Sequence, residues 1–275
     1  MAKLPPTSRT AIVAAFETFR EELDEHNDRR ERLIKNSRDV TNLSKKVIFL
    51  LHRIMTEDGP NSKEESDRSR GVRAAAQGRK KLKEIQQLLA SIREEVKGDR
   101  FWRYQRNVSP GVQEYIEALS FAHYLEFGSL ISYKEVERSL SDEQGIPFFP
   151  LSLEDYLLGL SDLTGELMRY AISSISQRGG RTKASEVCTF VRDCSADFEV
   201  LSPHYKELRK KQAVTSQSLQ KIENAAYAIV VRSSEYDLSP EMLGDIATMV
   251  SGSYGQSDDR SSRRRQREGD GDEDD

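Results

Sequence analysis

Cysteine is nearly absent from this chain. Cys188 and Cys194 are the only two in 275 residues, and their spacing fits neither a CxxC motif nor a zinc ribbon. That excludes a disulfide scaffold and a thiolate metal centre, and the two thiols read as reduced packing residues. No run of about 18 apolar residues occurs, so no membrane-spanning segment is expected. The first nine residues lack the apolar core of a signal peptide. These absences point to a protein of the cytoplasm and nucleus. Gly and Pro are sparse over long stretches, and no strand-like run stands out. Only 36% of the residues are apolar while 32% are charged. Long amphipathic helices with broad wet faces suit that balance better than a sheet buried on both sides.

The formal net charge of −4 conceals an asymmetry. Residues 27–106 hold 21 Lys or Arg against 12 Asp or Glu, an excess of nine positive charges. Part of the opposing charge lies in the tail, where the arginines of Arg260–Arg267 give way to Glu268, Asp270, Asp272, Glu273, Asp274 and Asp275. A basic half is a pointer to a polyanionic partner. The plainer reading is the solvated face of long helices. Arg263-Arg264-Arg265-Gln266-Arg267 reads equally as a nuclear import signal and as part of a polyampholyte tail.

Apolar residues recur at three- and four-residue steps from Ile12 through Phe16, Phe19, Leu23, Leu33, Val40, Val47 and Ile54. This predicts one helix over about 10–55, roughly 65–70 Å long. Asp58–Ser62 reads as a turn. A polar helix follows over about 62–107, weakened by Gly71, Gly78 and Gly98. Ser109-Pro110 is expected to open a third helix, with Pro110 in the first turn, running to about Phe127. Ser132–Glu135 is a capping box that starts a short helix to about Leu140. Asp142–Pro150 reads as a linker. Ser152 or Asp155 caps the next helix, which reaches about Ser176 and ends at Gln177–Gly180. Further helices are expected over about 182–194, 203–234 and 239–249. The whole predicts an all-α, single-domain bundle of about seven helices over residues 10–250, with residues 1–9 flexible and residues 251–275 a disordered charged tail.

Two acidic pairs carry the chemistry. Glu114 and Glu117 are three apart on the third helix, and Asp162 and Glu166 are four apart on the fifth. Residues so spaced share a helix face, and like charges there repel by a few tenths of a kcal/mol per pair. Both stretches are otherwise apolar, so the acids are poorly explained as surface decoration. A divalent cation between the helices would cancel the repulsion. Carboxylate oxygens without Cys or His nearby suit Mg²⁺, with Mn²⁺ as the alternative, better than Zn²⁺. Such a set supports metal-assisted phosphodiester hydrolysis. Glu117 and Asp162 would bind the metal or position the attacking water, with Glu114 and Glu166 completing the set. The plainer reading pairs these acids with Lys or Arg; Arg169, three residues beyond Glu166, is a candidate. Just before the acidic helix, Phe101-Trp102-Arg103-Tyr104-Gln105-Arg106 interleaves arginines with aromatics. That suits single-stranded nucleic acid, or else a helix end whose aromatics pack inward. The four histidines, His26, His52, His123 and His204, are scattered. His123 lies nearest the acids, but each reads as a packing or surface residue.

Several blocks resemble one family. They are Arg32–Thr41 (RLIKNSRDVT), Ile48–Arg53 (IFLLHR), Gly111–Ala118 (GVQEYIEA), Ser129–Ser132 (SLIS), Asp155–Arg169 (DYLLGLSDLTGELMR) and Lys221–Tyr227 (KIENAAY). Together they span about residues 10–250 in order. The chain is similar here to the translin-associated factor X proteins of the translin family. The resemblance implies a translin-like seven-helix bundle that co-assembles with translin into a hollow hetero-oligomer, commonly an octamer. It implies a metal-dependent endoribonuclease on single-stranded RNA, including passenger-strand fragments of RNA silencing and tRNA processing fragments, with single-stranded DNA as a second ligand. Translin would supply most of the nucleic-acid grip, and this chain the acids.

By that resemblance the catalytic acids are Glu114, Glu117 and Asp162, and the Mg²⁺ ligands are Glu117 and Glu166. The Arg100–Arg106 stretch looks similar to a nucleic-acid-contacting region of translin, which makes Arg103 and Arg106 candidate RNA contacts. Translin carries apolar residues in place of the two glutamates and lacks the Asp-Leu-Thr-Gly-Glu block. The alternative to an enzyme is a structural partner that stabilises translin and binds nucleic acid without cutting it.

Overall fold

The computed structural model of the chain describes residues 8–57, 66–175, 180–235 and 240–252. Eight helices account for almost all of them: α1 Ser8–Thr56, α2 Asp67–Ser91, α3 Asp99–Phe127, α4 Tyr133–Ser139, α5 Leu153–Ser174, α6 Gly180–Leu201, α7 Lys206–Glu235 and α8 Pro240–Gly252. No strand occurs among the described residues; one isolated antiparallel bridge joins Ser141 to Pro147. The all-α expectation holds. The eight helices answer to the eight helical segments read from sequence, the short α4 among them. The expected turn at Asp58–Ser62, residues 177–179, the cap at Ser239 and the tail from residue 253 lie outside the described residues.

These residues divide into two compact units. One comprises the chain up to Leu50 together with Val72–Tyr156; the other comprises Leu51–Gly71 together with the chain from Leu157 on. In the first, Leu33, Val40 and Val47 of α1 are buried, as are Leu82, Ile85 and Leu89 of α2 and Tyr115, Ile116 and Phe121 of α3. In the second, Leu51 and Ile54 end the buried stripe of α1. Leu160, Leu163 and Leu167 form that of α5, and α7 packs against both α6 and α8. The helical periods read from sequence are the buried faces seen here. The start of α1 differs: Ile12, Val13, Phe16, Phe19 and Leu23 continue the stripe but stay exposed.

The main departure is at α3. It begins at Asp99, ten residues before Ser109, and carries Pro110 in its interior. The break between α2 and α3 falls instead at residues 92–98, closed by Gly98 at φ 61°. An interior proline removes a backbone donor and crowds the preceding turn. Here α1 crosses at that point and repairs the ladder. Ser37 Oγ accepts from the Gly111 amide at 3.0 Å and lies 3.4 Å from the Val108 carbonyl, to which it donates. The approach is so close that a Cβ on Gly111 would stand 2.7 Å from the Ser37 carbonyl oxygen. The cap and the crossing together fix the register of the acidic helix.

The other starts follow the sequence. Ser132 and Glu135 form the expected reciprocal capping box of α4. Of the two cap candidates for α5 it is Ser152 that serves: its hydroxyl accepts from the Asp155 amide at 3.0 Å and donates to the Asp155 carboxylate at 2.6 Å. The segment expected as a linker, Asp142–Pro150, is a packed loop. Asp142 Oδ1 accepts the amides of Gln144 and Ile146, and Phe149 is buried edge-on against Phe101. α6 runs seven residues past the expected end at Cys194, because Phe198 continues its buried face.

Candidate functional site

α3 presents Glu114 and Glu117 one turn apart. Glu117 is buried and Glu114 is half-buried. Lys45 of α1 holds Glu114, with Nζ 3.3 Å from Oε1. The helix is anchored between the two glutamates by Tyr115, fully buried, whose hydroxyl accepts from Gln86 and donates to Ser139. Burial pushes the Tyr115 phenol pKa up. His123, six residues beyond Glu117, contacts Ser129 at 3.3 Å and packs on Phe127. Burial first of all lowers its pKa. It is a packing histidine, as the plainer reading had it.

α5 presents Asp162 and Glu166. The helix is fixed on its other side by Ser161 and Thr164, buried against Thr215 of α7. Asp162 Oδ2 lies 2.5 Å from Lys211 Nζ, and that ammonium also approaches the Leu158 carbonyl at 3.5 Å. Glu166 Oε2 meets two basic side chains: His52 Nε2 at 2.6 Å and Arg169 Nη1 at 3.2 Å. The Arg169 pairing was anticipated from its spacing. Lys45, His52 and Lys211 were not, since they lie on other helices, Lys211 49 and His52 114 residues from its acid.

Glu114, Asp162 and Glu166 are therefore each neutralised by a basic side chain. Among the described residues no group of three or more His, Cys, Asp or Glu side chains is gathered as a metal's ligand set would be. The thiols offer no competing site. Cys188 and Cys194 are free and buried, and burial raises both pKa values, that of Cys194 to about 12.

The basic-aromatic segment opens α3, and its side chains divide by face. Phe101 and Tyr104 pack inward, while Trp102, 68% exposed, Arg103 and Arg106 face solvent. Arg103 is held in place: Nη1 lies 2.9 Å from His26 Nε2, and the other nitrogen of that ring lies 2.7 Å from the Tyr104 hydroxyl. The inward-packing reading of the aromatics holds for Phe101 and Tyr104 but not for Trp102. Among the described residues no helix is long and apolar enough to cross a membrane.

Comparison with known proteins adds three findings. The family model described as "Translin family" matches residues 28–233. "Translin-associated protein X" of Rattus norvegicus is 36% identical, over 87% of this chain and 85% of that protein; the "Translin-associated protein X homolog" of Schizosaccharomyces pombe is 30% identical, over 80% and 89%. The solved structure described as apo-NeC3PO superposes with a TM-score of 0.56 at 19% identity, covering 81% of this chain and 96% of that one, which supports the fold.

Proposed function

This chain belongs to the translin family, and on that premise we propose that it is the acid-bearing subunit of a metal-dependent endoribonuclease acting on single-stranded RNA, assembled with translin. The observation that carries the reading is Glu117: a buried carboxylate on α3, one turn from Glu114. Burying a carboxylate costs free energy, and a second acid one turn away on the same helix face adds repulsion. Relatives named for their association with translin, and the exposed stripe Ile12–Leu23 at the start of α1, both support a partner-dependent protein. Octamer stoichiometry, passenger-strand and tRNA fragments as substrates, single-stranded DNA as a second ligand, and residence in cytoplasm and nucleus belong to the same proposal.

The donors fit a hard divalent cation by their chemistry. They are carboxylate oxygens, and the buried thiols are kept protonated. Glu117 and Glu166 are the proposed ligands of Mg²⁺, or Mn²⁺ in its place. When bound, the ion would lower the pKa of a water and stabilise charge on a phosphoryl oxygen. This chain's own residues then have separate tasks. Glu114 and Asp162 accept the proton of the attacking water and orient it. Lys45 and Lys211, each already on one of these acids, hold them in place. Arg103 and Arg106 hold phosphates of the RNA, and Trp102 offers a face for a base to stack on.

A second reading has an observation of its own. Lys45 pairs with Glu114, Lys211 with Asp162, and His52 and Arg169 with Glu166, with no metal required, as befits a structural partner that binds nucleic acid without cutting. Co-expression with translin, followed by incubation of labelled single-stranded RNA with Mg²⁺ or with EDTA, separates the two. Mg²⁺-dependent fragments favour the enzyme; RNA bound but intact under both conditions favours the scaffold.

A further inference from the structure

His52 stands out among the groups the foregoing account leaves without a task. It lies near the end of α1, between residues whose side chains are buried: Leu50 and Leu51 on one side, Ile54 and Met55 on the other. Its own side chain is 12% exposed and that of Glu166 is 13% exposed. The 2.6 Å contact between them is therefore largely shielded from water, unlike the pairs at Lys45 and Arg169, whose cations are mostly exposed. A hydrogen bond to a charged acceptor is shorter and stronger than a neutral one, and shielding strengthens it further.

Both basic side chains that reach Glu166 reach the same atom. The contacts of His52 Nε2, at 2.6 Å, and Arg169 Nη1, at 3.2 Å, both fall on Oε2. A carboxylate gripped at one oxygen loses its rotation about the last side-chain bond, and its second oxygen is then held in one direction. Lone carboxylates on a helix surface sample that rotation freely and must give it up to bind an ion. Groups behind a metal-binding carboxylate or imidazole commonly do this orienting work, and removing one typically costs 10–100-fold in metal affinity or activity.

We propose that His52 is the positioning residue of Glu166: its Nε2–H clamps Oε2 so that Oε1 is presented to a divalent cation. The inference rests on the reading of Glu166 as a metal ligand. His52 acts through Glu166 and need not touch the ion or the RNA. Arg169, on a mostly exposed side chain, adds charge but little constraint, since exposed ion pairs contribute weakly.

The test measures binding of Mn²⁺ alone, without RNA, to the full chain assembled with translin, by the loss of the free-ion paramagnetic resonance signal. Four proteins are compared: wild type, Glu166→Gln, His52→Leu and His52→Gln. Glutamine places an amide N–H near the position of Nε2, whereas leucine fills the space without a donor. His52→Leu is expected to weaken Mn²⁺ binding about 10–100-fold, and His52→Gln to restore it to within about threefold of wild type, by the same donor argument. Wild-type binding by His52→Leu overturns the proposal. So does equal loss in both His52 variants, which would mark a packing role. If the leucine variant does not assemble, His52→Asn takes its place, since its amide is too short to reach Oε2; wild-type affinity there also overturns the proposal. Undiminished Mn²⁺ binding by Glu166→Gln is a different failure, because it removes Glu166 from the ligand set and with it the reading on which the inference stands.

Discussion

Lys211 Nζ lies 2.5 Å from Asp162 Oδ2, joining α7 to α5 through a pair that is about one-third exposed at each end. Exposed pairs of this kind contribute about 0–1 kcal/mol to stability. Asp162→Asn should therefore leave the melting temperature within about 4 °C of wild type, given about 2–4 °C per kcal/mol for a protein of this size. If Asp162 acts on the attacking water, the same substitution should lower RNA cleavage by about 100-fold or more. Thermal unfolding and a cleavage time course on one preparation check both; a variant that cleaves normally removes Asp162 from the chemistry.

Gly111 sets how closely α3 crosses α1. A methyl group there would lie 2.7 Å from the Ser37 carbonyl oxygen and 3.0 Å from its Cα. These are backbone atoms and cannot move aside cheaply. Gly111→Ala should destabilise the protein by about 1–3 kcal/mol as an overpacking change, although alanine is ordinarily the better helix former by about 1 kcal/mol. Glu114 and Glu117 lie on the next two turns, so cleavage should fall as well. Denaturant titration gives the sign, and a stabilised Gly111→Ala variant would contradict the crossing described here.

Ser152 caps the helix that carries the second acidic pair. Ser152→Ala removes the acceptor for the Asp155 amide and should cost about 1 kcal/mol. Asp155 also accepts from Gln113 at 2.8 Å, a bond the substitution leaves in place. The loss should therefore appear as a lower denaturant midpoint with an unchanged slope.

His123 makes stability depend on pH. Burial is the largest cause of its lowered pKa; Arg79 lowers it further, while Glu135 and Glu126 act to raise it. A histidine lowered in the folded state binds fewer protons there than in the unfolded chain, where its pKa is about 6.5. Its contribution is complete above that value and is lost as pH falls through the folded pKa. Between pH 7.5 and pH 5.5 the wild-type urea midpoint should drop more than that of His123→Asn. Parallel drops would place the pH sensitivity elsewhere.

Much of the fold was legible because its information is local. The three- and four-residue apolar steps of α1, and the Ser132–Glu135 capping box, are written in adjacent turns. What could not be read depends on distant residues. Pro110 looks like a helix start in its own sequence; it sits inside α3 because Ser37, more than 70 residues away, replaces part of the broken ladder. The Asp142–Pro150 loop looks like a linker until Phe149 is seen against Phe101. The acids show the same division. Their pairing on helix faces follows from spacing, and so does the Arg169 contact with Glu166. The contacts of Lys45, His52 and Lys211 arise only from tertiary packing. His52 lies in the Ile48–Arg53 block that carries the family resemblance, but nothing in its neighbouring residues points to Glu166.

The most direct test of the account compares the wild-type chain and Glu117→Ala, each co-expressed with translin, in cleavage of a labelled single-stranded RNA with Mg²⁺ and with EDTA. The account predicts cutting by the wild-type assembly that EDTA abolishes, and loss of cutting in a Glu117→Ala assembly that still forms and still binds RNA. Undiminished Mg²⁺-dependent cutting by Glu117→Ala, or none by a well-assembled wild type, would contradict it.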